Sequence, residues 1–496
     1  MGATVFLILL SNLLGLVLNA PVGGLSSKLP AEDTVTGKIE IANRGCKKLL
    51  VQGDIAVVPG RSFTDCDGCM WSSSNGIVHV PYTISSAYSQ DQINLLTSAM
   101  LDFEGLTCVN FIPKTNEANY ISILSQDGCW SYVGRILGAQ TLSLNKIGCM
   151  DYGIIQHELN HALGFYHEHT RNDRDDYVSI QYQYISPGDV SVFDKQESTK
   201  HLDLPYDYTS IMHYAANVYS NTSGKNTIIP TPNPNVPIGG GYGLSNLDIA
   251  KINKVYSCNN PCSTLMSDPN GIVMSDNYPL FYSNNANCVW LIRTSSGQVS
   301  LNFNSFNVQT STNCISDYIK IYDGATKSSP PILHRTCGTD LPPNVISSTN
   351  RMLLEFVSDG SIVETGFKAS YTTVKCGGTF YTSSRVNITS PNYPNNYLPS
   401  VDCLYLITAP PSFKVSLTMN KFFLERCTAS CSCDYLSIYD GSSTSATTLG
   451  QNVKNCGAAI FPTLVSTGNS MLLKFHTDQS GQATGFSASY TFVPSS

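Results

Sequence analysis

The C-terminal half of this chain is written twice. "DYIKIYDG" (Asp317 to Gly324) returns as "DYLSIYDG" (Asp434 to Gly441), and "DNYP" (Asp276 to Pro279) returns as "PNYP" (Pro391 to Pro394). "GFKASYT" (Gly366 to Thr372) returns as "GFSASYT" (Gly485 to Thr491). The cysteines keep step: Cys262, Cys288, Cys314 and Cys337 against Cys376, Cys403, Cys431 and Cys456. Such self-similarity marks one folding unit used twice. The two copies span residues 262–374 and 376–493. Within each, short alternating runs such as "VSLNFNSF" and "RMLLEFVS" lie between Gly, Pro, Asn and Ser clusters, which predicts antiparallel strands of a β-sandwich.

At 496 residues the chain is too long for one core, so further domains precede the repeat. Charged residues are only 13%, the net charge is −7 and no basic run occurs, which excludes nucleic acid as a partner. The N-terminus is apolar from Val5 to Leu18 and ends on small residues, so residues 1–20 read as a secretory signal peptide. No later run suits a membrane span, and the mature protein is expected to be secreted, by way of secretory granules. Seventeen cysteines agree with an oxidising compartment. Cys46 stands alone, and the other sixteen can form eight pairs. Sequons at Asn221 and Asn387 are candidate glycosylation sites.

The middle of the chain, residues 62–259, reads as α+β. Ser89 is a helix cap followed by helical spacing at Ile93, Leu96, Met100 and Phe103. "GIVHVPYTI" and "NYISILS" read as strands, and "GIIQHELNHALGFY" as a second helix ending near Gly164. This last helix opens a cluster, "HELNHALGFYHEHTR", that holds four of the nine histidines. His157 and His161 fall one helical turn apart on one face and can share one Zn²⁺. Gly164 lets the chain turn back so that His167 completes three nitrogen ligands. The open fourth position marks a catalytic zinc, and Glu158 stands beside it without ligating. His169 is expected to be no ligand, and His213 a structural histidine.

The repeated copies resemble CUB domains in cysteine spacing, in the paired "IYDG" and in the closing "GFxAxY". That resemblance implies jelly-roll sandwiches that bind protein or glycan surfaces, with pairs Cys262–Cys288, Cys314–Cys337, Cys376–Cys403 and Cys431–Cys456. A further bridge, Cys427–Cys433, is expected in the second copy. CUB calcium sites use a Glu and two Asp, which the second copy matches with Glu425, Asp434 and Asp478. The first copy has Asp317 and Asp359 but Gln309 in place of the Glu, so Ca²⁺ is expected only in the second.

"HELNHALGFYHEHTRNDRDDYV" is similar to the astacin family of zinc metallopeptidases, with "SIMHY" supplying a methionine turn at Met212 and Tyr214 matching the tyrosine near zinc. The resemblance implies a metzincin-type α+β fold, disulfides Cys108–Cys258 and Cys129–Cys149, and a substrate-binding edge near Tyr132 to Arg135. It also implies peptide-bond hydrolysis by zinc-activated water, with Glu158 as general acid and base and Tyr214 stabilising the oxyanion.

Residues 21–61 read as a propeptide. Astacin propeptides carry an FxGD motif whose Asp ligates zinc. Gly53 and Asp54 match it, with Val51 where Phe is usual, so Asp54 is the expected latent-form ligand. Cys46 is the rival ligand. Cleavage after Arg61 would free Ser62, whose ammonium is expected to pair with Glu168. Cys66 and Cys69 form a CxxC that reads as a structural bridge, with redox or zinc binding as alternatives. The extra cysteine pair and the two CUB copies without EGF-like modules resemble the hatching-enzyme branch. The expected function is therefore a secreted zymogen that digests egg-envelope glycoproteins, its CUB copies binding protein or glycan. The alternatives are a tolloid-like processor of matrix or growth-factor precursors, and an inert CUB binding protein.

Overall fold

The computed structural model describes residues 33–57, 69–196, 204–260, 262–381, 387–450 and 452–495. The expected signal peptide, Ser62 and the Cys66 half of the CxxC lie outside the described residues. Among those described, no helix is long and apolar enough to cross a membrane.

The segment before the peptidase-like region opens with helix α1 (Val35–Asn43), whose N-cap Thr34 accepts from Gly37 N. A two-residue hairpin follows, Leu50–Val51 against Ile55–Ala56. Its turn needs left-handed backbone at Gln52 (φ 46°) and Gly53 (φ 82°).

The middle region is a twisted sheet backed by helices. Ile77–Ile84 pairs in parallel with Val109–Pro113 and with Tyr120–Leu124, and the latter pairs in parallel with Ala139–Leu144. The short strand Cys129–Trp130 closes the edge in antiparallel register. Helix α2 (Gln90–Leu106) starts in a full capping box between Ser89 and Gln92 and buries Leu96, Ala99, Met100 and Phe103. Helix α3 (Tyr152–Ala162) lies beside it, and α4 (Asn246–Val255) starts in a second capping box between Ser245 and Asp248. Cys108–Cys258 and Cys129–Cys149 are bonded.

Each repeat copy is two packed sheets. The strands are antiparallel but for one pair per copy. Cys262–Met266 runs parallel to Asn287–Arg293, and Cys376–Phe380 runs parallel to Asp402–Thr408. In both, the disulfide joins residues in direct register, Cys262 to Cys288 and Cys376 to Cys403. This parallel pairing corrects the all-antiparallel expectation: pairing direction is set by the path of the chain, which local alternation does not report. Cys314–Cys337, Cys431–Cys456 and Cys427–Cys433 are also bonded.

The first copy does not hang free. Val289, Leu291 and Leu353 on the outer face of its five-stranded sheet are fully buried in the same apolar core as Phe103, Leu106 and Ile252 of the middle region. The second copy meets the first through a smaller cluster of Ile346, Leu406 and Leu472.

Candidate active site

Asp151 caps α3 by accepting from Gly153 N and Ile154 N, and every residue from Gly153 to Ala162 is buried. His157 and His161 stack one turn apart on it, with ring centroids 4.7 Å apart. After Ala162 the chain turns through Gly164 at φ 103°, a left-handed value that favours glycine. The turn delivers Phe165 O to His161 Nδ1 (2.7 Å) and brings His167 to 4.8 Å from the His161 ring.

The other two Nδ1 atoms are held as well. His157 Nδ1 meets Ile211 O at 2.8 Å, and His167 Nδ1 meets Gln52 Oε1 at 3.0 Å. All three Nδ1 atoms therefore donate, which fixes the tautomers and leaves each Nε2 with a lone pair. These three atoms converge on one carboxylate. Asp54 Oδ2 is 3.1 Å from His157 Nε2 and 3.3 Å from His167 Nε2, while Oδ1 is 3.4 Å from His161 Nε2. Four acceptors crowded in a buried space need a cation among them. His161 Nε2 and Asp54 Oδ1 have no hydrogen-bond partner, so the residues fit a tetrahedral zinc.

The electrostatics favour ligation. Burial pushes the His167 imidazole down to about 4, against the pull of Asp54, and pushes His161 down for the same reason. Burial opposes ionisation of Asp54, but His167, His161 and the contact with His157 outweigh it and hold the carboxyl well below the usual range. Neutral imidazoles and an ionised carboxylate are the forms a metal takes. Glu158 is the exception. Both its oxygens are buried without a partner, and burial, followed by the Asp54 charge, pushes its carboxyl well up.

Asp54 comes from the segment before the peptidase-like region, which is pinned at several points. Ala56 N donates to Ser131 O (2.8 Å) and Ser131 N to Asp54 O (3.1 Å), so the segment continues the sheet edge. The backbone pairing is at Ser131, just past the edge strand Cys129–Trp130. The strand expected near Tyr132 to Arg135 lies instead at Cys129–Trp130, and Gly134 N donates to His161 O (2.8 Å) at the end of α3. Asn43 reaches back from α1, donating to Gly53 O (2.9 Å) and Cys129 O (2.8 Å) and accepting from Cys129 N (2.7 Å). A side chain at Gly53 would collide with the Tyr219 hydroxyl. The Tyr214 hydroxyl donates to the Gln52 carbonyl, so this tyrosine is engaged by the same segment. Cys46 points elsewhere, its thiol 3.3 Å from Asp127 O.

Met212 is buried, and its carbonyl accepts from Glu168 N (2.9 Å), the residue after His167. Asp248 holds that turn from α4, accepting from Ser210 Oγ (2.6 Å) and Ile211 N (2.9 Å). Glu168 is buried and already paired, with Arg171 Nη1 at 3.0 Å and Lys251 Nζ at 2.5 Å. His169 is buried outside the ligand set and stacks on Tyr214 at 3.9 Å. His213 bonds Tyr214 O (2.7 Å) and Tyr206 Oη (2.8 Å). Sequence reasoning missed Gln52, Asn43 and Lys251. Gln52 was within reach, standing two residues before Asp54; the others depend on contacts far apart in the chain.

At one position the two repeat copies place different side chains beside equivalent aspartates, Gln309 in the first and Glu425 in the second. In the second, ligand atoms of Glu425 and Asp478 gather within 4.8 Å together with Cys433, while Asp434 accepts from Tyr397 Oη (2.5 Å) and Asp478 N (2.8 Å). Partial burial and then the charges of Asp434 and Asp478 push the Glu425 carboxyl up, and its Oε2 has no partner. In the first copy Tyr282 Oη and Asp359 N hold Asp317 in the same way (2.5 and 2.7 Å). There the Gln309 amide faces Asp317, and with its nitrogen turned inward it donates to both Asp317 oxygens, at 3.2 and 3.3 Å.

Residues 69–257 match the astacin peptidase family, and residues 262–371 and 376–490 match the CUB domain. The chain is 51% identical to Embryonic protein UVS.2 of Xenopus laevis, over 92% of this chain and 88% of that protein. It is 47% identical to the Astacin-like metalloendopeptidase of Gallus gallus, over 69% of this chain and 84% of that protein. A solved structure of High choriolytic enzyme 1, a hatching enzyme zinc-protease from Oryzias latipes, is 49% identical over 40% of this chain and 98% of that chain, with a TM-score of 0.38.

Proposed function

Because this chain belongs to the astacin family of zinc-dependent metalloendopeptidases and carries two CUB domains, we propose that it is an exported zymogen that cleaves egg-envelope glycoproteins. The observation that carries the catalytic reading is the convergence of three histidine Nε2 atoms beside a glutamate with no other partner. His157, His161 and His167 would hold zinc, which when bound supplies Lewis acidity to polarise the scissile carbonyl and to make a water nucleophilic near neutral pH. Glu158 takes the proton of the attacking water and delivers it to the leaving amine. Tyr214, once Gln52 has left, is free to donate to the developing oxyanion. The sheet edge at Ser131 takes the substrate backbone where the pro-segment now lies.

Latency rests on Asp54 occupying the position that an attacking water needs, with Asn43 and the Ser131 bonds holding it there. Glu168 is proposed to receive the Ser62 ammonium after cleavage, joining Lys251 and Arg171. Glu425, Asp434 and Asp478 are proposed to hold Ca²⁺ in the second CUB domain. The exposed Asn221 and Asn387 are proposed to carry glycans. The embryonic setting is supported by the 51% identity to a protein named as embryonic.

Glu158→Gln in the processed enzyme is expected to lower kcat by at least about a hundredfold while one zinc per chain remains. Near wild-type turnover in that variant would sink the assignment. Incubation of isolated egg envelopes with the processed enzyme, followed by release of soluble glycopeptides, tests the substrate. Intact envelopes beside a fully cleaved generic peptide would remove the envelope from the proposal and leave the peptidase.

A further inference from the structure

The outer face of the first CUB domain carries charge into an apolar joint. Along the strand Asn287–Arg293, Trp290 and Ile292 face the domain's own core, while Val289 and Leu291 enter the peptidase core. Strand and joint end together at Arg293. Its guanidinium donates through Nη1 to Oδ2 of Asp102, a fully buried carboxylate on α2. Arg351, directly opposite Arg293 in the sheet, brings Nε to 3.8 Å from Oδ1 of the same carboxylate. Among the described residues, both ion-pair partners of this peptidase acid come from the CUB domain. Tyr152, the first residue of the zinc helix, lies under the Arg293 guanidinium at 4.7 Å and accepts from Arg351 Nη2 at 3.1 Å.

Asp102 is in turn bonded to the catalytic scaffold. Gln156, the residue before the ligand His157, donates to Asp102 Oδ2 (3.1 Å) and to Ala99 O (3.1 Å). Oε1 of the same Gln156 side chain accepts from Leu244 N (2.9 Å). Leu244 ends a loop whose Gly240 packs against Ile211, and the Ile211 carbonyl accepts from His157 Nδ1. One amide thus ties the zinc helix to α2 and to the loop under the methionine turn. That amide depends on a carboxylate whose counter-charges belong to another domain. Removing one partner of a buried ion pair leaves an uncompensated charge, which is strongly destabilising, whereas removing both is tolerated.

We propose that Arg293 is a positioning residue of the peptidase, supplied by the first CUB domain: by neutralising Asp102 it fixes Gln156 and the setting of the zinc helix. The first CUB domain is then an integral part of the catalytic fold, whatever it also binds. The inference rests on the peptidase reading above. The test uses the full chain after removal of the pro-segment, with a quenched peptide too short to reach from the cleft to a CUB domain. Arg293→Met, which keeps the aliphatic stem, is expected to lower kcat about tenfold with KM within about twofold. The double variant Asp102→Asn/Arg293→Met is expected to recover to within about threefold of the unmodified enzyme. Unchanged kcat in Arg293→Met, even with a lower melting temperature, overturns the proposal. So does a double variant as impaired as the single one. Should Arg293→Met fail to fold, a folded and active double variant supports the proposal, and a double variant that also fails overturns it. An unmodified chain inactive on every peptide would instead remove the peptidase reading.

Discussion

Asp248 is buried, and its carboxyl is pushed up to about 6 by burial and then by Asp207. It nevertheless accepts from Ser210, Ile211 and Ser245 and so holds the turn at Met212 to α4. A carboxyl raised in the folded state binds its proton more tightly there than in the unfolded chain. Its contribution to stability is therefore greatest in acid and is lost as pH rises from about 4 to about 6. Denaturant titrations of the latent chain should show this slope, and Asp248→Asn should flatten it while lowering stability by about 1–3 kcal/mol for the lost acceptor. An identical pH slope in the variant would show that the group does not titrate there. Asp54 makes a second prediction. In uncleaved Asp54→Ala, with the other pro-segment contacts intact, hydrolysis of a small peptide is expected to rise by on the order of tenfold, since the carboxylate no longer fills the nucleophile's position. No rise would assign latency to the strand contacts at Ser131 alone. The clustering of His157, His161 and His167 was legible because three histidines and a glycine lie within one turn and its return; Gln52 and Lys251 were not, because a sequence does not say which distant side chain will satisfy a given imidazole or carboxylate.

Among the elements, the two CUB sandwiches set up an internal comparison. They share a bulge at equivalent places, Phe303/Ser305 and Met419/Lys421, though Pro331–Thr336 adds a fifth strand to one sheet of the first. They differ where Gln309 replaces Glu425. In the first, an amide turned with its nitrogen towards Asp317 satisfies carboxylate lone pairs that would otherwise be open to a cation. In the second, an unpartnered glutamate oxygen is left facing two further carboxylates. Calcium should therefore raise the melting temperature through the second domain only. Glu425→Gln should abolish that rise, and adding Gln309→Glu to it should restore one, with about 2.7 kcal/mol available at a hundredfold excess over Kd. Persistence of the calcium effect in Glu425→Gln would place the ion elsewhere. Alternation at period two announced these strands, and the cysteine repeat announced that there are two sandwiches. Parallel pairing at the disulfides was not legible, because it depends on where the chain returns and not on local pattern.

Across the whole molecule the domains are fused by strands buried on both faces. "CVWLIR" and "CLYLIT" are near-continuous apolar runs, the mark of a strand with no solvent face. Their outer residues form the joints, Val289 and Leu291 at the peptidase, Leu406 at the first CUB domain. Leu291→Ala should cost about 2–5 kcal/mol and lower the unfolding of the peptidase and the first CUB domain together. Calorimetry showing two separated transitions, with the peptidase unmoved, would contradict a shared core.

The sequence by itself set out the histidine cluster with its glutamate and the repeated module, because each is fixed by spacing within a few residues or by self-similarity, while Asp54 stood out only through its resemblance to a propeptide motif. Only the tertiary structure decided that the segment carrying Asp54 pairs with the sheet edge at Ser131, that Glu168 is already paired with Lys251, and that Arg293 of one domain pairs with Asp102 of another. Those are contacts between residues far apart in the chain. Burial turns them into obligations, since an unpaired charge away from water is costly wherever its partner lies in sequence.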